Sequence, residues 1–249
     1  MSKNIVAIIP ARYHSTRLPG KPLAIIGDKT MIERVYAQCK KAMLLNQVIV
    51  ATDDARILGH CKSKNIEVVL TNTNHINGTT RCLEVAQKIG LNDKDIVINV
   101  QGDEPFIDPK NIDGLAQLLL SEKSDIASLC KRILNDTEIE NSNIVKVVKS
   151  IHNRAIYFSR FNIPFVRETI EKNDTHFFKH IGLYAYTYKA LSTIALLPES
   201  NLEKAEKLEQ LRWLENDFSI LLHEVFEDTI AIDTPQDLLL ANEYLNTIK

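Results

Sequence analysis

Ile9-Pro-Ala-Arg-Tyr-His-Ser-Thr-Arg-Leu-Pro-Gly-Lys21 continues directly from residues 4–9, and the junction between the two decides how the chain folds. Residues 4–9 are a short run of branched apolar side chains, the pattern of a strand buried on both faces of a parallel sheet. Open α/β sheets bind ligands just beyond the carboxyl ends of their strands, and here Arg12, Arg17 and Lys21 arrive at once between prolines and Gly20. Guanidinium forks and a lysine point charge suit a polyphosphate, so the segment reads as a phosphate-binding turn rather than a basic surface loop. Two familiar phosphate loops are excluded. A Walker A loop needs glycine where Ser15 stands and serine or threonine where Pro22 stands. A dinucleotide fingerprint needs three spaced glycines after the strand, and only Gly20 and Gly27 occur in the first forty residues.

Outward from that strand, residues 48–51, 66–70, 96–100 and 126–129 are further short apolar runs. They alternate with amphipathic stretches that predict helices over 31–44, 54–64, 79–90 and 109–121. The rhythm is βαβ, which predicts an α/β fold: a mainly parallel, Rossmann-like sheet with helices on both faces and right-handed crossovers. After Ser142 the pattern changes. Residues 144–148, 155–158 and 181–188 read as longer alternating strands around a polar loop at 167–179, and so predict an antiparallel insert over about 142–190 that faces substrate and partner. Ser200-Asn-Leu-Glu203 is a capping box for a helix running to about Asn216, and Pro235 opens a last helix. With no repeat, low-complexity tract or flexible linker, residues 1–249 are expected to form one domain: core 1–135, insert, and a return to the core over 191–249.

Composition narrows the class. The 249 residues are 45% hydrophobic and 25% charged, and 30 Lys+Arg against 32 Asp+Glu leave a net charge of −2. Such a chain buries a full core and has no bulk charge with which to hold nucleic acid or a membrane. Cys39, Cys61, Cys82 and Cys130 are isolated, without Cys-x-x-Cys spacing, and read as reduced core thiols. No run approaches the roughly 18 apolar residues of a membrane span, so the expected location is the cytoplasm.

At the level of motifs the chain resembles the sugar nucleotidyltransferases, and among them the 3-deoxy-manno-octulosonate (Kdo) cytidylyltransferases. The resemblance runs through Ala51-Thr-Asp-Asp54, Asn99-Val-Gln-Gly-Asp-Glu-Pro105, Ser159-Arg160 with Ile163-Pro164, His180-Ile-Gly-Leu-Tyr-Ala-Tyr186, Leu208-Glu-Gln-Leu-Arg212 and Asp233-Thr-Pro-Gln-Asp237. The chain departs from the family in His75-Ile-Asn-Gly-Thr-Thr-Arg81, where Asn77 takes the place of a usual serine and Thr80 that of a usual acid. The resemblance implies transfer of CMP from CTP to the anomeric 2-hydroxyl of Kdo for lipopolysaccharide biosynthesis, with Mg²⁺ as cofactor and a homodimeric enzyme.

Individual residues carry this chemistry unevenly. Asp103 lies just past residues 95–100, in a turn made by Gly102 and Pro105, and reads either as a hard-oxygen ligand for Mg²⁺ or as a turn carboxylate capping the next element. Asp233 follows residues 229–232, which read as a strand, yet Asp-Thr-Pro is also an ordinary helix entry with aspartate as N-cap. The resemblance implies that both aspartates hold Mg²⁺, with Lys21 and Arg17 completing the catalytic set, and no general base is nominated. It also implies a nucleotide site from Pro10, Ala11, Arg12, Arg17, Lys21, Thr52, Gly78, Arg81 and Gln101. By residue type alone, residues 51–54 border the base or cap the following helix through Thr52 or Asp53. Gln101, Arg160, Arg167, His180, Tyr184, Glu209 and Gln210 match the family's sugar-binding positions. A histidine and a tyrosine on a strand are also common core residues, and Glu209-Gln210 also reads as the polar side of a helix.

Overall fold

The computed structural model describes residues 3–15, 17–121, 123–168, 176–228 and 230–247. Its strands are β1 (Ile5–Ala11), β2 (Ile25–Ile26), β3 (Lys29–Thr30), β4 (Gln47–Thr52), β5 (Val68–Leu70), β6 (Ile96–Asn99), β7 (Ile126–Arg132), β8 (Lys146–Lys149), β9 (Ala155–Ser159), β10 (Phe178–Thr187) and β11 (Ile220–Val225). Its helices are α1 (Met31–Cys39), α2 (Ala55–Ser63), α3 (Gly78–Lys88), α4 (Pro109–Leu120), α5 (Asp136–Glu140), α6 (Tyr188–Ile194), α7 (Asn201–Glu206), α8 (Gln210–Glu215) and α9 (Pro235–Thr247). The main sheet runs β11-β7-β10-β6-β1-β4-β5, and β2 with β3 forms a separate hairpin. No described helix is long and apolar enough to cross a membrane.

Alternation along β1 builds two layers. Ile5, Ala7 and Ile9 point into a core with Ile32, Val35, Ile57, Ile112 and Leu115 of α1, α2 and α4. Val6 and Ile8 point the other way, among Cys82 and Val85 of α3, Leu191 of α6, and Leu211 and Trp213 of α8. A strand covered on both sides needs apolar residues at every position, which is why its sequence is an unbroken run. Helix starts are set by side-chain caps: Thr30 with Glu33 in a capping box on α1, Asp54 on α2, Asn77 on α3 and Asp108 on α4.

β1 pairs in parallel with β4 through Ala11–Thr52, but its pairing with β6 stops at Ile8–Asn99. Chain order reverses direction at these two strands, so a crevice opens between their carboxyl ends, the usual ligand position of this architecture. The loops after β1 and β6 form its walls.

Three expectations need correction. The last strand of the expected insert, β10, lies inside the main sheet, antiparallel to both β6 and β7. Ile181 and Leu183 to Thr187 are buried, as suits a central strand. Only β8 and β9 lead away from the sheet, and the strand β11, parallel to β7, was not anticipated. The helix expected to run to Asn216 is two helices, because Lys207 turns left-handed at φ 55 and ends α7. Residues 230–232 are not a strand, yet the Ile232 N–H donates to the Asp103 carbonyl at 2.9 Å and docks this segment beside β6. Thr229 and residues 169–175 of the polar loop lie outside the described residues.

Candidate active site

The loop after β1 folds back on itself. Gly20 takes φ +69, a conformation that favours glycine, and its N–H donates to the Tyr13 carbonyl at 3.0 Å. This returns the chain so that Lys21 opens a 3-10 turn facing the crevice. Across it, Gly102 approaches the Pro10 carbonyl so closely that a Cβ there would lie 2.8 Å from the oxygen. Any side chain at 102 would force the two walls apart. The resulting cleft, of about 230 Å³, is lined by Pro10, Ala11, Arg12, Lys21, Gly78, Gln101 and Asp103, together with His14 and Ser15, which sequence reading passed over.

Lys21 is the hub. Its Nζ lies 2.6 Å from Asp103 Oδ2 and 2.8 Å from Asp233 Oδ1, and Arg17 Nη2 is 3.1 Å from Asp233 Oδ2. Burial works against the ammonium, but Asp103 and Asp233 outweigh it and hold the Lys21 pKa above its ordinary value. The alternative role of each aspartate as a helix cap is taken by others. Asp108 caps α4, while Thr234 and Asp237 cap α9 reciprocally, Asp237 also accepting the Asp233 N–H at 3.0 Å. Asp103 lines the cleft, and Asp233 is joined to it through Lys21. They form a hard-oxygen pair of the kind that Mg²⁺ takes together with substrate phosphates. Among the described residues no group of three or more His, Cys, Asp or Glu gathers, so remaining ligands would have to come from substrate. Glu104, which the sequence did not single out, sits buried behind them, and burial followed by the charge of Asp103 pushes it up to about 7.

A second group of side chains lies beside Gly78, where a Cβ would come 3.3 Å from Asn99 Nδ2. Asn99 pairs across the sheet with Tyr184. Tyr184 packs on Trp213 at 5.0 Å and on Tyr186 at 5.9 Å between ring centres, and His180 lies 5.3 Å away. Asn99 Oδ1, both tyrosine hydroxyls, Trp213 Nε1 and Gln210 Nε2 are buried without a hydrogen-bond partner. Four of them, on Asn99, Tyr184, Tyr186 and Trp213, fall in one cluster and are costly unless a polar ligand satisfies them. Gln101 joins this cluster to the cleft, its Nε2 donating to the Gly182 carbonyl at 3.1 Å. Glu209 Oε1 accepts from Asn77 Nδ2 at 2.8 Å and from Arg212 Nη2 at 3.1 Å, and Oε2 accepts from Thr79 Oγ1 at 3.1 Å. Burial raises the Glu209 pKa against the opposing pull of Arg212 and Thr79.

The family described as Cytidylyltransferase matches residues 6–223. The 3-deoxy-manno-octulosonate cytidylyltransferase of Parabacteroides distasonis is 47% identical over 247 residues, covering 96% of this chain and 97% of the relative. That of Cytophaga hutchinsonii is 48% identical over 245 residues, with 96% and 97% covered. A solved CMP:2-keto-3-deoxy-manno-octonic acid synthetase complexed with CTP superposes with a TM-score of 0.93 at 38% identity, over 99% of this chain and 100% of that one. The chain belongs to the 3-deoxy-manno-octulosonate cytidylyltransferases. It is therefore a nucleotidyltransferase with the family's α/β fold.

Against the cytidylyltransferase motifs, the structure gathers Lys21, Arg17, Asp103 and Asp233 at one point, and sets His180, Tyr184, Glu209 and Gln210 around one polar cluster. Gln210 is 5% exposed, so this part of α8 is not a solvated polar face. Three expected ligands have other partners, and a fourth lies away from the cleft. Thr52 is 0% exposed, and its hydroxyl accepts the Asp54 N–H at 3.2 Å. Asp54, rather than Thr52 or Asp53, caps α2. Arg81 is also 0% exposed, with Nη2 2.9 Å from Asp53 Oδ2 and Nη1 donating to Thr71, so its guanidinium pins α3 to the sheet. Arg160 is spent on the Glu206 carbonyl at 2.8 Å and the Ser142 carbonyl at 3.2 Å. Arg167 is exposed and lines a separate cavity with Phe161, Phe165 and Phe177. Asn99, Tyr186 and Trp213 were missed because they read as core; the polar tip at the carboxyl end of β6 was the available signal.

The His180 ring donates to or accepts from Ser128 Oγ at 2.9 Å and packs on Phe158, and burial pushes its pKa down to about 3. The unfolded imidazole titrates near 6.5, so between pH 6.5 and 3 the unfolded chain binds a proton that the folded one does not. Stability must fall as pH drops through that window, by about 2 kcal/mol from this group at pH 5. Urea unfolding at pH 7 and pH 5 is expected to show a smaller drop for His180→Gln than for wild type. Equal drops would mean the ring is open to water.

Proposed function

We propose that this cytidylyltransferase joins CTP and Kdo to give CMP-Kdo and pyrophosphate, using Mg²⁺. The observation that carries the reading is the unpaired buried polar cluster of Asn99, Tyr184, Tyr186 and Trp213 beside a cationic cleft. A sugar rich in hydroxyls would satisfy it, and the cleft has the cations for a triphosphate. The names of the 47–48% identical relatives and the CTP-bound synthetase support the same pair of substrates.

In this account Lys21 and Arg17 leave their aspartates to hold the phosphates and the departing pyrophosphate. The two cations and two carboxylates of the resting site cancel, so the charge of a bound triphosphate calls for a further cation. Mg²⁺ held by Asp103 and Asp233 would neutralise the phosphates and lower the pKa of the sugar's anomeric hydroxyl. The hydroxyl oxygen bonds to the α-phosphorus, the α–β phosphoanhydride bond breaks, and the hydroxyl proton passes to solvent. Pro10, Ala11, Arg12, Gly78 and Gln101 border the nucleotide. Gln101, His180, Tyr184, Glu209 and Gln210 orient the sugar, and Arg167, our choice for its carboxylate, would have to leave its separate cavity to reach it. Exposed Ile151, Ile156, Phe161 and Phe165 support a homodimer formed through the 142–190 segment, and four free buried thiols fit the cytoplasm. Supplying CMP-Kdo for lipopolysaccharide would be the role of the product.

Turnover tests this reading. CTP, Kdo and Mg²⁺ together are expected to give pyrophosphate and CMP-sugar in equal amounts, with CTP stable when Kdo is withheld. Pyrophosphate release that ignores Kdo would overturn it.

A further inference from the structure

Both ends of the Asn77 amide are engaged. Its Oδ1 accepts from the Thr80 N–H at 2.9 Å and the Thr80 hydroxyl at 3.0 Å, capping α3. That fixes which atom is the oxygen, and the amino group on the other side donates to Glu209 Oε1 at 2.8 Å. Arg212, the one cation bound to Glu209 among the described residues, is shared: its Nε lies 3.0 Å from Glu203 Oε2. Glu209 therefore depends on neutral donors, and Asn77 and Thr79 supply them from the first turn of α3. The same loop is gripped from the nucleotide side by Arg12, which donates to the carbonyls of His75 and Asn77. Asn77 thus links a cleft-lining arginine to the carboxylate at the polar cluster.

We propose that Asn77 is a positioning residue for the acceptor sugar, its amide aiming the Glu209 carboxylate at the sugar's hydroxyls without itself touching either substrate. The proposal rests on the reading of Glu209 as a sugar ligand. A carboxylate only accepts, and with two donors on Oε1 and one on Oε2 the site left for a hydroxyl is on Oε2, its direction set from α3 and α8. Serine at 77 would keep a cap and one donated hydrogen bond. Aspartate would cap as well as asparagine does, but it has no donor and would bring a second carboxylate against Glu209. Asn77→Asp therefore separates the cap from the positioning role.

The experiment measures KM for Kdo and for CTP, with the melting temperature, in wild type, Asn77→Asp and Asn77→Ser. The aspartate variant is expected to melt within about 3 °C of wild type. Its KM for Kdo should rise at least about tenfold, the scale of a lost, now repulsive contact, with KM for CTP within about twofold. The serine variant should hold KM for Kdo within about threefold. An unchanged Kdo KM in the aspartate variant, or equal rises for both substrates, would overturn the proposal. If aspartate unfolds the chain, a serine variant with a tenfold or greater loss of Kdo affinity would overturn it too. Should wild type use another acidic sugar in place of Kdo, the Kdo reading fails by itself, and the same comparison made with that sugar still decides the role of Asn77.

Discussion

Asp103→Asn is expected to lower kcat at least about a thousandfold while the protein stays folded. The substitution keeps the shape of the side chain and removes one of the two negative oxygens beside Lys21. In the resting protein Lys21 would still hold Asp233 at 2.8 Å, and the Ile232-to-Asp103 backbone bond does not involve the side chain. The loss therefore falls on chemistry, because a metal ion's stabilisation of developing phosphate charge is worth several kcal/mol and about 4 kcal/mol is a thousandfold. Steady-state rates at saturating Mg²⁺, with circular dichroism as the check on folding, measure it. Near-normal turnover would remove Asp103 from the metal site.

Lys21→Ala is expected to reduce kcat by about a hundredfold to a thousandfold and to weaken CTP as well. Charge on the leaving pyrophosphate grows toward the transition state, so a cation that meets it is worth more there than in the ground state. The variant also leaves Asp103 and Asp233 facing each other, with Arg17 on Asp233 to offset part of their charge. KM for Kdo should move little. A change confined to Kdo would place Lys21 on the sugar and undo the assignment.

Both predictions concern residues legible in the sequence. β1 could be read because a strand buried on two faces is apolar throughout, and the loop after it because function follows strand ends. Helix starts were readable where Ser200 and Pro235 mark them. The position of β10 was not, since strand order depends on partners far along the chain and an alternating run carries no record of its neighbours. The break at Lys207 was hidden for a related reason. No glycine marks it: the left-handed residue is a lysine, followed by a turn in which Leu208 and Gln210 are buried. In the site, the partners of Arg81 and Thr52 were not legible, because the residue types that suit a ligand also suit Asp53 and a backbone N–H. Tyr186 and Trp213 were the converse. Their apolar bodies pack as core, and only the fold shows that their polar atoms have no partner.

The account claims that one cleft binds a cytidine triphosphate next to a pocket for an eight-carbon acidic sugar. The most direct measurement is kcat/KM from pyrophosphate release, taken with each of the four nucleotide triphosphates against Kdo, amino-Kdo and a sialic-acid-like nonulosonate. The account predicts the highest value for CTP with Kdo, and none in the absence of sugar. A higher value for another sugar, or equal use of all four nucleotides, would contradict it.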